Sequence, residues 1–338
     1  MAVVHAASKE EDPPRPRLRR PRVPPNLFAI TFGLAGLSEV WREAAPLLGT
    51  GQAVPDAIAI LDGAIWLVLV GAYLAQGLRV ILADLRNPVL SPFVPVAGIA
   101  AMILATALAS AAFTAGRALV IVFLIVTIIT GGWLTGHWLT GGTDRDSVHP
   151  GYFLPTVAGG LVGAYCTAQV NLHALAEASF GIGVICWLLL GATVLNRLFF
   201  AALPPALVPT MALEIGPPAV GGLAYFALAG RAVSFVACAL GGYTVLMVLV
   251  QARLIPVYRR LTFSPGFWAF TFSAAAAAAD ALAWLTLKRP PGTTGYATAI
   301  VWLITAFTSW IAARTVMLAA RGQLFPRAVT GPDQGNQR

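Results

Sequence analysis

The sequence predicts an all-α polytopic membrane protein, with ten transmembrane helices paired as five helical hairpins of quasi-fivefold symmetry around a central pore. Three observations predict it. The 338 residues are 58% hydrophobic and only 11% charged, with mean hydropathy +0.77, whereas a soluble domain carries about 25% charged residues. Apolar runs recur along the whole chain, each near the ~20 residues that cross a hydrocarbon core. Finally, small-residue runs alternate with bulky ones in a repeat.

The ten spans fall at roughly 27–43, 57–81, 93–113, 117–138, 152–171, 174–197, 206–227, 232–256, 266–287 and 296–319. They define a membrane domain over 26–322, between a basic tail at 1–25 and a carboxy-terminal tail at 323–338. Residues 1–25 carry Lys9, Arg15, Arg17, Arg19, Arg20 and Arg22 among prolines, with no apolar signal segment. That composition reads as disordered and cytoplasmic. Its arginines serve topology and anionic lipid rather than nucleic acid. With the amino terminus inside, seventeen of the 22 Lys and Arg residues lie on the cytoplasmic side. Only Arg42, Arg117, Arg231, Lys288 and Arg289 lie outside. This is the bias of the positive-inside rule, and an even span count puts the carboxy terminus inside as well.

The even spans are bulky, as in Val120–Ile129 and Trp187–Leu190, and so face lipid. The odd spans are rich in Gly, Ala and Pro. Phe93 and Pro95 recur 60 residues later as Phe153 and Pro155, each followed by Ala-Gly (Gly98, Gly159) and preceded by an X-Pro loop, Asn87-Pro88 or His149-Pro150. The seventh span repeats the flavour at Pro209 and Pro217. Proline within a span bends it and frees backbone groups, tolerated in a bilayer only inside protein or beside a watery cavity. The odd helices are therefore placed at the centre and the even ones outside. The ninth span, Phe267–Asp280, leads aromatic residues into six alanines that include Ala274 and Ala275. Smooth helices admit close packing or a passage, and five of them about one axis favour the passage.

Charged residues within spans are functional suspects. Arg42 pairs with Glu39 and Glu43, Asp62 reads as interfacial and solvated, and Asp280 as a packing or outer-vestibule group. Glu214, a turn before Gly216-Pro217-Pro218, either carries a proton or bonds backbone exposed by the kink. Arg314 snorkels. Cys166, Cys186 and Cys238 have no partner at ligand or disulfide spacing, and His137, His149 and His173 are scattered over loops and span ends as solvated or capping residues. No nucleotide loop or nucleophile elbow occurs; no metal, cofactor or catalysis is expected.

Five stretches in order resemble one family: Phe28-Ala-Ile-Thr-Phe-Gly-Leu-Ala-Gly-Leu with Trp41, Asn87-Pro88 with Ser91-Pro-Phe, His149-Pro-Gly-Tyr-Phe-Leu-Pro, Gly216-Pro-Pro-Ala-Val, and Trp268-Ala-Phe-Thr-Phe-Ser. The chain is similar to the tellurite-resistance/dicarboxylate transporter family, which includes bacterial TehA and the slow-type anion channels of plant guard cells. The resemblance implies a pore of five kinked helices, a homotrimer in the plasma (inner) membrane, and small-anion passage gated by a phenylalanine of the ninth span. Aligned through Trp-Ala-Phe-Thr-Phe, the gate falls on Phe272, or on Phe270 if the register slips. Ala29 stands where TehA has Gly, which narrows the pore. Pore-lining or kink positions are then Ala29, Gly33, Pro95, Gly98, Pro155, Gly159, Pro209, Pro217, Ala274 and Ala275. The resemblance leaves open halides, nitrate, tellurite and other oxyanions, or C4-dicarboxylates. The alternatives are a proton-coupled dicarboxylate or sulfite transporter using Glu214 and, more remotely, a non-transporting receptor or assembly protein, which the short loops disfavour.

Overall fold

The computed structural model describes residues 22–141 and 143–324. The helices are α1 (Ala29–Leu48), α2 (Ala53–Leu74), α3 (Leu78–Arg86), α4 (Val96–Ala109), α5 (Phe113–Leu139), α6 (Gly159–Gln169), α7 (His173–Phe200), α8 (Gly216–Ala229), α9 (Phe235–Tyr258), α10 (Trp268–Lys288) and α11 (Thr293–Ala320). Eight of the helical stretches are long and apolar enough to cross a membrane. α1 carries Glu39, Arg42 and Glu43, and the stretch leading into α6 is broken into short turns.

Proline sets where the inner helices begin. α1, α4, α6, α8 and α10 are each entered through a 3-10 turn with proline in its first two positions: Pro25–Phe28, Ser91–Phe93, Pro150–Phe153, Val208–Ile215 and Pro265–Phe267. At a helix start the missing N–H of proline costs nothing and its fixed φ is already helical. The sequence predicts kinks within spans at Pro95, Pro155, Pro209 and Pro217. They sit at the entries instead: Pro95 caps α4, Pro209 opens the turn before α8, and Pro217 lies in the first turn of α8. Only Pro155 lies in a disturbed stretch, a π-helical turn over Leu154–Ala158.

The same five helices pack in a closed cycle: α1 on α4, α4 on α6, α6 on α8, α8 on α10, and α10 back on α1. The other long helices lie outside. Between 56 and 72% of the apolar stretch is buried in α4, α8 and α10, against 11–28% in α2, α5, α7, α9 and α11. Leu67, Val68, Ile129, Leu188 and Leu249 remain exposed on that outer surface. In water such a surface would aggregate; in hydrocarbon it is simply solvated.

Some boundaries differ from the sequence reading. α2 ends at Leu74 because Gly77 turns the chain at φ +88°, and the separate helix α3 follows. Residues 22–25, assigned to the basic tail, are held on the membrane domain: Arg22 pairs with Asp84, and Val23 exchanges backbone bonds with the Gln76 side chain at 3.0 and 2.9 Å. The rest of that tail, and 325–338 of the other, lie outside the described residues. Asp62, read as solvated, is fully buried, and neither carboxylate oxygen has a partner among the described residues. It falls on the side of α2 that turns inward with Tyr73.

The two X-Pro loops of the repeat touch. His149 is fully buried; its Nδ1 accepts from the Gly151 N–H at 3.1 Å, and its Nε2–H donates to the Val89 carbonyl at 3.3 Å. Tyr152 adds a bond to the Pro88 carbonyl at 3.0 Å. A histidine here ties the entries of α4 and α6 together. Burial pushes its pKa down from 6.5 to about 4, so it is neutral in the fold and protonates more readily in the unfolded chain. Its contribution is therefore complete above pH 6.5 and fades as pH falls toward 4. His149→Ala is expected to cost about 1–3 kcal/mol through the orphaned groups, read as a lower melting temperature in detergent. Acidification should lower the wild-type melting temperature more steeply than that of His149→Gln.

A candidate pore along the axis

Inside the ring, α1 meets α10 along a close seam. A methyl group built on Gly33 would lie 2.0 Å from Thr271 Oγ1, and one on Gly36 would lie 3.0 Å from the Ala275 methyl. The two helices share a local pattern: Phe28-Ala-Ile-Thr-Phe-Gly and Trp268-Ala-Phe-Thr-Phe-Ser. In each, the threonine hydroxyl donates back to the carbonyl three residues earlier, Thr31 to Phe28 at 2.9 Å and Thr271 to Trp268 at 2.8 Å. With the hydroxyls satisfied internally, the contact face is apolar and smooth. That closeness brings Phe32 and Phe272 face to face, ring centroids 3.4 Å apart and 13° from parallel.

The stacked pair borders a narrow cavity of about 20 Å³, lined also by Phe153, Leu154, Ala158 and Leu161 of the α6 strand of the ring, and by Leu213, Gly216, Pro217 and Val220 around the start of α8. Such a volume holds about one water. No lining residue is charged, so the constriction is closed by apolar side chains drawn from α1, α10 and the stretches around α6 and α8. Apolar constrictions in pores gate by dewetting.

Residues 22–316 match a family model described as the SLAC1 voltage-dependent anion channel. The chain belongs to that family. It is also similar to the tellurite resistance protein TehA homolog of Haemophilus influenzae, 28% identical over 266 residues, which are 77% of this chain and 81% of that protein. It is thus a multi-pass membrane protein of a family of anion channels and transporters.

The structure disperses the residues singled out from the sequence. Phe272 and Pro217 line the cavity. Phe270 lies apart, its ring 4.8 Å from Tyr258 and 5.5 Å from Phe267, in an outer cluster that also takes Ala29. Gly33, Gly98 and Gly159 are packing glycines: an added methyl on the last two would press on Thr127 of α5 at 2.9 and 2.7 Å. Ala275 packs against α1 and Ala274 sits in the cluster around Leu37, Leu282 and Val301. Pro95 and Pro209 set helix entries, and Pro155 lies in the π-helical turn before α6, its carbonyl abutting Gly131 of α5. Phe32, the other half of the stack, was not singled out. Its signal was the Thr-Phe-small motif shared by the first and ninth spans.

The acidic residues take other places. Glu214 is buried beside the cavity wall without lining the cavity, and its Oε1 has no partner among the described residues. Asp280 is buried against α8, where a methyl on Gly222 would meet its Oδ1 at 2.6 Å. Glu43 takes both oxygens to the Arg231 guanidinium at 2.7 and 2.5 Å. Arg314 lies over the Phe263 and Trp310 rings at 5.0 and 5.8 Å.

Gly33→Ala should push α1 off α10, because Thr271 Oγ1 sits where the methyl must go. The expected loss is about 1–3 kcal/mol for overpacking, measured as a fall in melting temperature, and Thr271→Ser should leave that clash while Thr271→Gly relieves it.

Proposed function

We propose that the chain is an anion channel or carrier whose ten spans form five hairpins of quasi-fivefold symmetry around an axial pore, with Phe272 as the gate. The observation that carries the reading is the Phe32–Phe272 stack across the narrow apolar cavity inside the five-helix cycle. The reading takes 26–322 as the transport domain, places it in the plasma (inner) membrane with both termini cytoplasmic, and assembles it as a homotrimer. Small monovalent anions, oxyanions such as tellurite, and C4-dicarboxylates are the candidate substrates. The basic residues assigned to the inner face concentrate such anions at the mouth. An uncharged constriction suits them, because strong binding would hold the ion.

Proton-coupled dicarboxylate or sulfite transport through Glu214 is the second reading. It is favoured by a buried carboxyl with an unpartnered oxygen one residue from Leu213 in the cavity wall. It predicts flux that depends on pH and is lost in Glu214→Gln.

Phe272→Ala, reconstituted in planar bilayers or liposomes, should raise anion flux at least tenfold, the order expected when a dewetted stopper is removed. A panel of chloride, nitrate, malate, sulfite and tellurite identifies the substrate. Unchanged flux for all five would defeat the gate. Phe270→Ala should leave flux unaltered, since that ring packs toward Tyr258.

A further inference from the structure

A polar bond crosses the ring at a second level. Glu39 lies seven residues beyond Phe32 on α1, two helical turns and about 10 Å along the same face. Tyr165 lies one turn beyond Leu161, a cavity-lining residue of α6. The Tyr165 hydroxyl donates to Glu39 Oε2 at 2.8 Å. α4 stands between α1 and α6 in the cycle, so this bond spans the inside of the ring rather than a helix–helix seam. Both residues are buried. Arg42 Nε lies 3.5 Å from Glu39 Oε1 without hydrogen-bond alignment, and that oxygen has no hydrogen-bond donor among the described residues.

A plain structural ion pair does not account for this. Arg42 spends its outer nitrogens on Gln52 and on Asp56 of α2, at 3.2 and 3.1 Å. Arg231, on the connection between α8 and α9, is taken by Glu43. Glu39 is left with a neutral phenol and a distant, shared guanidinium. The charged and titratable groups around it are Arg42 and Glu43 on its own helix and Tyr165 and Cys166 on α6; beyond them Arg42 reaches Asp56 of α2, Glu43 pairs with Arg231 of the α8–α9 connection, and Asp280 of α10 lies near Glu43. Carboxylates outnumber cations in that set. An anion travelling along the axis meets a like charge there, in a medium where charges are poorly screened.

We propose that Glu39 and Tyr165 form a crossbar that is a second barrier in the conduction path, in series with the aromatic stack, and that the charge of Glu39 sets how readily anions pass. The proposal rests on the axial path proposed above. In that orientation the crossbar faces outward. When Glu39 takes a proton from the outer solution its charge vanishes, and when it returns the proton the barrier is restored. Anion flux therefore rises as the outer pH falls.

The test uses the full chain in planar bilayers with Phe272→Ala as background, so that the inner barrier is absent. Adding Glu39→Gln, which keeps an acceptor for Tyr165, should raise chloride conductance about tenfold, the lower end of what one charge does to local ion concentration. It should also abolish the response of conductance to outer pH. Adding Tyr165→Phe instead removes the bar but keeps the charge, so conductance rises while the pH response stays. A conducting background in which Glu39→Gln changes neither conductance nor pH response overturns the crossbar and leaves the axial path standing. A background and double variants that conduct nothing, although folded and inserted, overturn the axial path and the crossbar with it.

Discussion

Everything along the axis depends on how closely α1 approaches α10. Gly33 against Thr271 and Gly36 against Ala275 remove the side chains that would hold the helices apart, and in a bilayer such small-residue seams are a main source of helix association. Only at that separation do Phe32 and Phe272, each at the same point of a shared motif, meet ring to ring. The stack itself adds about 0.5–1.5 kcal/mol beyond the burial of its area. The seam below it involves many more contacts. Beside that seam the stack is a small part of what holds α1 to α10. A phenylalanine gate needs that division: a rigid frame and a loosely held stopper.

The bilayer imposes the second constraint, that backbone groups be satisfied within the protein. A chain that placed prolines in mid-span would have to find partners for the carbonyls they strand. This chain avoids most of that cost by beginning each inner helix at a proline, in a 3-10 turn where the absent N–H has no partner to lose. What remains is met by side chains in the connections. Asn87 Oδ1 accepts from the Val89 and Leu90 N–H groups at 2.9 and 3.0 Å. His149 does the same for Gly151 while reaching back to Val89. The repeat is therefore bonded to itself at its loops, and its members keep their relative tilt.

Much of the architecture was legible in the sequence because it follows from composition. Leu, Ile and Val stretches such as Val120–Ile129 belong against lipid, and Gly- and Ala-rich stretches belong where helices crowd. The family was legible through ordered motifs around Phe28, Asn87, His149, Gly216 and Trp268. The site was harder. Periodicity separates Phe270 from Phe272 by about 200°, yet it does not say which one faces inward; only the neighbours, Phe32 for one and Tyr258 for the other, decide that. Small residues were ambiguous for a related reason. Gly98 and Gly159 look like pore wall in one dimension, but both are spent on contact with Thr127 of α5. Asp62 defeated the reading entirely, because hydropathy places a charged residue near a span end in water and carries no account of what lies beside it.

The charge pattern along the inner helices bears on passage rather than storage. Glu39, Glu43 and Asp280 are all buried and all lie toward the carboxy-terminal ends of α1 and α10, while the amino-terminal halves of those two helices carry no charge; the other buried acid, Glu214, sits in the turn that enters α8. Helix termini reinforce the contrast, since amino-terminal N–H groups offer partial positive charge and carboxy-terminal carbonyls partial negative charge. On the proposed path, an anion entering from the amino-terminal side meets fractional attraction from the helix termini, with Glu214 set back beside the cavity wall, then an apolar constriction, then repulsion. Among the described residues that path meets no buried, unpaired arginine that would trap an anion: Arg42 and Arg231 are engaged by carboxylates, and buried Arg197 is turned to the carbonyls of Asp146, Ala201 and Ala202 at the periphery. Weak sites separated by barriers let an ion leave as readily as it arrives. In the proposed channel, the features that make this axis a poor binding site are the ones that suit it to passage.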